Sequence, residues 1–182
     1  MSLWSLPKTH KIGGTVYDLN TDYRDILEII QYLTDERRPE LLRWRIAVGL
    51  FYEQPIPDNH LQEAMDYLAE FVEAGSRNTK PGPKLLDWEQ DAQIIVADIN
   101  KVAGKEIRSV EYMHWWTFVG LFSGIGEGQL STVVSIRHKR ATGKKLEKWE
   151  QEFYREHRDM IDFRKAASPE DEAIKAYFEK WL

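Results

Sequence analysis

Three aspartates, at positions 87, 91 and 98, are the first residues in this sequence that could carry chemistry. Asp87 and Asp91 stand four residues apart, which places both on one face of a helix, and Asp98 follows two turns later. Carboxylates spaced in this way can bind a divalent cation or act as an acid and base pair. They also flank an apolar stripe that begins at Trp88, where a solvated polar margin or ion pairs to Lys and Arg of a neighbouring helix are expected. We interpret them as structural, because no matching metal-binding group stands elsewhere at motif spacing.

A second candidate is His114, which directly precedes Trp115 and Trp116. A histidine beside aromatic side chains can act as a base or bind a metal. Zinc would need further ligands in a fixed geometry, whereas the other histidines are scattered along the chain. We therefore predict a partly buried histidine with satisfied hydrogen bonds, and two tryptophans that belong to the core.

Three glycines, Gly124, Gly126 and Gly128, resemble a phosphate-binding loop in composition. A loop of that kind follows a strand and opens a helix, so that free N–H groups meet the phosphate. These glycines follow a predicted helix, and no Gly-Lys-Ser or Gly-Lys-Thr sequence accompanies them. The pattern favours a tight turn between two helices.

Other catalytic signatures are missing from the sequence. It contains no cysteine, which excludes thiol catalysis, disulfides and cysteine-based metal sites. It also lacks the Gly-x-Ser-x-Gly, His-Glu-x-x-His and kinase motifs. We expect a protein that is not an enzyme, with no catalytic residue, no metal and no cofactor. We also expect a cytoplasmic protein without a membrane partner, because neither a signal peptide nor an apolar run of about 18 residues is present.

Charge is concentrated in two segments. Residues 53–75 carry six acids and no Lys or Arg, whereas residues 137–148 carry six bases and one acid. This asymmetry suggests docking to a partner or to another copy of the chain, although two solvated helix ends would give the same pattern. The bases could also follow phosphates, but aromatic side chains suited to stacking are sparse among them. The predicted partner-binding bases are Arg137, Lys139, Arg140, Lys144, Lys145 and Lys148.

Hydrophobic periodicity predicts a mainly α protein, a compact multi-helix bundle with a short N-terminal β-hairpin at about residues 11–19. The first helix would be capped by Asn20 or Thr21, the second would be buried on much of its surface, and the fifth would be apolar on all sides. The predicted helices are residues 22–33, 39–52, 58–74, 87–103, 110–122, 129–141 and 144–161.

The domain prediction is one helical domain over residues 1–163, followed by a C-terminal amphipathic helix over residues 164–182. That last helix would pack on the same domain or on a partner through Tyr177, Phe178 and Trp181. Four other tryptophans are assigned to core-facing stripes, namely Trp44, Trp88, Trp115 and Trp116. The faces around Trp149 are less clear in the pattern.

Three blocks of sequence together resemble the bacteriophage "gene product fifteen" family, small proteins of siphophages and prophages. They are Asn20–Arg24, Leu86–Ala92, and Met113–Phe118 with Leu121–Gly124, and the resemblance spans Thr15 to Phe163. The family has no established catalytic residues. Its genes typically lie between those for the tail-tube protein and the tape measure protein, which implies a tail assembly chaperone that binds both of these phage structural proteins. A nucleic-acid-binding accessory protein that uses residues 137–148 is the alternative, and a homo-oligomer stays open.

Overall fold

A two-stranded antiparallel hairpin and eight α-helices form in the part of the chain that the structure describes, residues 5–74 and 82–164 of a computed structural model. This confirms the predicted fold class. The chain divides into two compact units, one of residues 1–82 and 95–126 and the other of residues 83–94 and 127–182. We call them the N-terminal and the C-terminal unit and describe each by itself. The single helical domain expected over residues 1–163 stays a prediction.

The hairpin pairs β1 (Thr9–Ile12) with β2 (Thr15–Asp18), so that Thr9 lies opposite Asp18 and Ile12 opposite Thr15. Its two-residue loop, Gly13-Gly14, has positive φ at both positions (54° and 90°). A two-residue turn of this kind matches the twist of paired strands and favours glycine. The hairpin is anchored because Ile12 is buried in the N-terminal unit.

Helix α1 (Tyr23–Thr34) begins one residue later than expected and is capped by Asp22, so the predicted cap at Asn20 or Thr21 was wrong. The Asp22 carboxylate accepts the backbone N–H of Arg24 at 2.9 Å, which satisfies a free donor of the first turn. Thr21 instead bonds its hydroxyl to that of Tyr112, and Asn20 donates to the carbonyl of Leu50.

Helix α2 (Glu40–Phe51) follows Pro39 and packs against α1 and against α3 (Leu61–Val72). Only its second half is buried, because the first turn lies at the tip of the α1–α2 hairpin. Leu41 and Leu42 are 58% and 44% exposed there, so the expectation of burial over most of this helix was wrong. Helix α3 is also shorter than predicted, since residues Asp58–His60 form a separate 3-10 turn.

Helix α4 (Ala92–Ala103) starts five residues after the predicted position, because residues 88–91 form a turn. Helix α5 (Trp115–Ser123) also starts five residues late. The preceding segment is held outside a helix by the first turn of α1: the Asp22 carboxylate accepts the Met113 N–H, and Arg24 donates to the Val110 carbonyl. The expectation that α5 would be buried on all sides was wrong, since Thr117 and Gly120 are exposed.

The C-terminal unit contains α6 (Gln129–Ala141), α7 (Lys148–Glu156) and the short α8 (Arg158–Ile161). Helix α6 has the predicted bounds. The helix expected over residues 144–161 is divided, because α7 begins only after the cap at Glu147 and stops at His157 (φ −124°, ψ 41°). The core of the unit is built around Val133, Ile136 and Ile161, with Leu146, Phe153, Tyr154, Met160 and Ile94 packed against them.

None of the helices in residues 5–74 and 82–164 is long and apolar enough to span a bilayer.

Replacing Asp22 should destabilise the N-terminal unit, because one carboxylate both caps α1 and receives the Met113 N–H. We expect Asp22→Ala to lower the free energy of unfolding by about 2–3 kcal/mol, the sum of a lost cap and an unsatisfied amide. Asp25→Ala is the matched control, since Asp25 lies exposed in the same first turn and should change it by only about 0.5 kcal/mol. Chemical denaturation measures both free energies of unfolding. Equal losses in the two variants would contradict this double role of the Asp22 carboxylate, which we call the Asp22 clamp.

Candidate functional site

Arg137, the first of the predicted partner-binding bases, lies inside the C-terminal unit. Its guanidinium makes a bidentate ion pair with Asp91, with N–O distances of 2.6 and 2.9 Å, and the two side chains are 3% and 1% exposed. The remaining N–H groups donate to three backbone carbonyls, so all five donors of the guanidinium are satisfied. These carbonyls belong to Leu85, Met160 and Ile161.

The turn before α4 explains how Asp91 reaches this position. The Asp87 carboxylate accepts the backbone N–H groups of Glu89 and Gln90, and Asp91 in turn accepts the Asp87 N–H. The Gln90 amide then donates to carbonyls of residues 159, 160 and 162 and accepts the Arg164 N–H. Through Gln90, the Leu86–Ala92 block is therefore tied to residues 159–164.

The three aspartates do not form one site. Asp87 caps the turn, Asp91 neutralises Arg137, and Asp98 in the N-terminal unit is buried with its carboxylate 2.6 Å from the Lys101 ammonium. Among the described residues, no three His, Asp or Glu side chains are grouped so that they could hold a metal ion. Asp91 has the ion pair to a neighbouring helix that the sequence pattern suggested, whereas Asp98 pairs with Lys101 of its own helix and Asp87 pairs with Lys84.

Lys139 is paired as well. Its ammonium lies 2.7 and 2.8 Å from the two carboxylate oxygens of Glu150, which is buried on the inner face of α7. Burial alone would raise the pKa of Glu150, but the hydrogen bonds from Lys139 and from the Glu147 backbone N–H outweigh it and lower that pKa. Glu150 stays ionised and closes the capping box that starts α7.

Arg140 lies at the surface of the same unit. Its guanidinium is paired with Asp162 and lies 4.1 Å from the ring centroid of Tyr154. The Tyr154 hydroxyl donates to the same carboxylate at 3.0 Å. Burial opposes ionisation of Asp162, but these two hydrogen bonds lower its pKa.

Three of the predicted bases, Lys144, Lys145 and Lys148, are exposed on the α6–α7 loop and the first turn of α7. Trp149 follows them and is 55% exposed. The sequence pattern left the faces around Trp149 unclear, and in the structure Glu150 takes the inward position beside it. The capping-box spacing of Glu147 and Glu150 was the available signal, since it fixes where α7 begins and which side faces inward.

A groove that the sequence did not indicate lies beside these bases. It has a volume of about 380 Å³ and is lined by Leu146, Gln151, Tyr154, Arg155 and Arg158. The remaining predicted binding residues, Tyr177, Phe178 and Trp181, lie outside the described residues.

His114 belongs to the N-terminal unit and is buried, with 2% exposure. Its Nδ1 accepts the Trp116 backbone N–H at 3.0 Å, and its Nε2 lies 2.9 Å from the Pro7 carbonyl. Nδ1 must be unprotonated to act as the cap of α5, so the proton is on Nε2, which donates to Pro7. Burial, with the nearby charge of Lys8, lowers the pKa of His114.

The two tryptophans after His114 close the end of α3 in the same unit. The indole N–H of Trp115 donates to the Val72 carbonyl at 2.9 Å, and that of Trp116 donates to the Phe71 carbonyl at 3.0 Å. Carbonyls in the last turn of a helix lack their usual partner within that helix. Trp115 gives the Val72 carbonyl a donor, and Trp116 gives a second donor to the Phe71 carbonyl, which also accepts the Ala74 N–H. Trp115 is buried and Trp116 is half-buried.

The glycines at 124 and 128 cap helices. Gly124 ends α5 and Gly128 precedes the first residue of α6, so this stretch connects two helices as predicted.

Breaking the buried ion pair should destabilise the chain strongly. Arg137→Met leaves the Asp91 carboxylate buried without its cation, and we expect a loss of about 3–5 kcal/mol in the free energy of unfolding. Arg140→Met, which removes the exposed pair with Asp162 from the same helix, is the control and should cost under about 1 kcal/mol. Denaturant titration of both variants is the measurement. Similar losses for the two would show that burial of the pair does not matter.

The lowered pKa of His114 predicts a pH dependence of stability. The unfolded chain takes up a proton near pH 6.5, whereas folded His114 resists it, so its stabilising contribution is present above that pH and is lost as the pH falls below it. His114→Asn keeps a capping side chain, so we expect it to lose less stability than the wild type between pH 8 and about pH 5.5. If the unfolding free energies of the wild type and His114→Asn changed in parallel with pH, His114 would not be the source of the pH dependence.

Comparison with known proteins gives a family match. The family model described as "Bacteriophage Gp15 protein" matches residues 4–163. No curated protein matches the chain, and no solved structure does. The three blocks that carried the resemblance are thereby placed within one family, and they correspond to the Asp22 clamp, the Asp87–Asp91 turn and the His114 cap. The chain belongs to the bacteriophage Gp15 family.

Proposed function

We propose that this phage protein is a tail assembly chaperone that binds the tape measure protein and tail-tube subunits. Its membership of the Gp15 family carries the proposal, because genes of that family typically lie between those for the tail tube and the tape measure. A tape measure protein is long and helical. A chaperone for it therefore needs an exposed surface that can bind helices.

The exposed groups of the chain support a binding role. In the C-terminal unit, the exposed Lys144, Lys145 and Lys148 are close in sequence to the exposed Trp149. Tryptophan is typical of the residues that carry binding energy in protein interfaces, and exposed lysines can add electrostatic attraction to an acidic partner. The buried titratable groups, by contrast, are engaged in capping and ion pairing, which agrees with a protein that binds and does not catalyse.

Nucleic-acid binding remains the second candidate, because an exposed tryptophan beside three lysines could stack on a base while the lysines contact phosphates. The ion pairs of Arg137, Lys139 and Arg140 weaken it, since they leave half of the six predicted bases engaged within the unit. A salt-sensitive mobility shift with single-stranded DNA that disappears in Trp149→Ala would favour this candidate.

Co-expression tests the chaperone proposal directly. Expressed with the tape measure protein encoded beside it, the chain should keep that protein soluble and elute with it as one complex. Lys144→Ala/Lys145→Ala/Lys148→Ala should raise the dissociation constant of the complex about tenfold if the exposed lysines contribute about 1.4 kcal/mol together. The control is Lys11→Ala/Lys105→Ala, which removes exposed lysines of the N-terminal unit. An insoluble tape measure protein with no complex would overturn the proposal.

A further inference from the structure

The groove of the C-terminal unit combines an apolar side, an aromatic ring and two cations. Leu146 contributes the apolar surface and Tyr154 the ring, while Arg155 and Arg158 lie exposed at its margin. The Arg158 guanidinium lies 5.4 Å from the Tyr154 ring centroid, so the cation and the ring border the same space. Such a lining suits a segment that presents carboxylates together with apolar or aromatic side chains.

Asp162, an acid that contacts the groove residue Tyr154, already has its partners. Asp162 accepts from Tyr154 and from Arg140, and the charge of Arg158 acts on it only over a longer distance. Arg155 and Arg158 therefore present positive charge to whatever occupies the groove. Carboxylates are the complementary groups, and an arginine can hold one with two parallel hydrogen bonds.

The described part of the chain ends next to this groove. Asp162 touches Tyr154 through its carboxylate, and Arg164 is fixed to Gln90 by its backbone N–H. The sequence then continues for 18 residues, 165–182. Within it, the acidic run Glu170-Asp171-Glu172 precedes the aromatic residues Tyr177, Phe178 and Trp181. The acids complement the two arginines of the groove, and the aromatic residues complement Leu146 and Tyr154.

Chain length allows the contact. Glu170 follows Arg164 by six residues, which span up to about 20 Å when extended. A short connection of this kind gives the attached segment an effective concentration in the millimolar range, so even a weak contact would be occupied most of the time.

We propose that the groove of Leu146, Gln151, Tyr154, Arg155 and Arg158 is a docking site for the chain's own residues 165–182, with the carboxylates of Glu170–Glu172 on Arg155 and Arg158. The groove would then be covered in the isolated protein and become accessible when a partner competes for the segment. This inference does not depend on the chaperone proposal, because it concerns the isolated chain.

Because the chain has no cysteine, a single introduced thiol reports on the groove. Gln151→Cys places that thiol in the lining, and its reaction rate with uncharged iodoacetamide is measured in the full chain. If the segment covers the groove nine-tenths of the time, the thiol should react about tenfold more slowly than when the groove is open. Glu170→Lys/Asp171→Lys/Glu172→Lys, made in the same background, should restore the fast rate.

A charge swap is the matched control. Arg155→Glu/Arg158→Glu should also open the groove, and combining it with the three Lys substitutions should bring back the slow rate, which loss of folding cannot do. Protection that is independent of protein concentration supports docking within one chain. Protection that increases with concentration would overturn it in favour of a second copy. A rate that is the same in every variant would also overturn it.

Discussion

The C-terminal unit depends on the buried ion pair between Arg137 and Asp91. An isolated guanidinium in an apolar interior would cost several kcal/mol, so the unit is stable only if every donor of Arg137 finds an acceptor. The acceptors come from the Asp87–Asp91 turn, from residue 85, and from the end of α8 at residues 160 and 161. One side chain of α6 thereby fixes three separate segments of the chain. Packing around Val133 and Ile136 then completes the core of the unit.

The N-terminal unit uses the same physical device without a buried cation. Asp22 and His114 each cap a helix while holding a segment that is distant in sequence, residue 113 in one case and Pro7 in the other. In both units, polar side chains within the blocks that carried the resemblance fix the backbone. These blocks therefore have a structural role in this chain, and a binding surface has to be sought among exposed residues such as Lys144 and Trp149.

Periodicity was sufficient for the elements whose apolar face is simple, such as α6, and for the hairpin with its Gly-Gly turn. It was insufficient where polar side chains override the pattern. Residues 110–114 were predicted to be helical but are not, because Asp22 accepts the Met113 N–H and Arg24 donates to the Val110 carbonyl. The pattern left the faces around Trp149 unclear, and in the structure Glu150 faces inward to meet Lys139 while Trp149 is exposed. The basic run could be located from sequence, whereas the burial of Arg137 could not, since its partner Asp91 lies 46 residues away.

A double-mutant cycle on Asp91 and Arg137 tests most directly whether this pair organises the C-terminal unit. The unfolding free energies of Asp91→Leu, Arg137→Met and the double variant are compared with that of the wild type. We expect the double variant to be more stable than the sum of the single losses predicts, with a coupling of about 2–3 kcal/mol, because it leaves no unpaired buried charge. Additive losses, with a coupling near zero, would show that the two side chains act independently and would contradict this view of the fold.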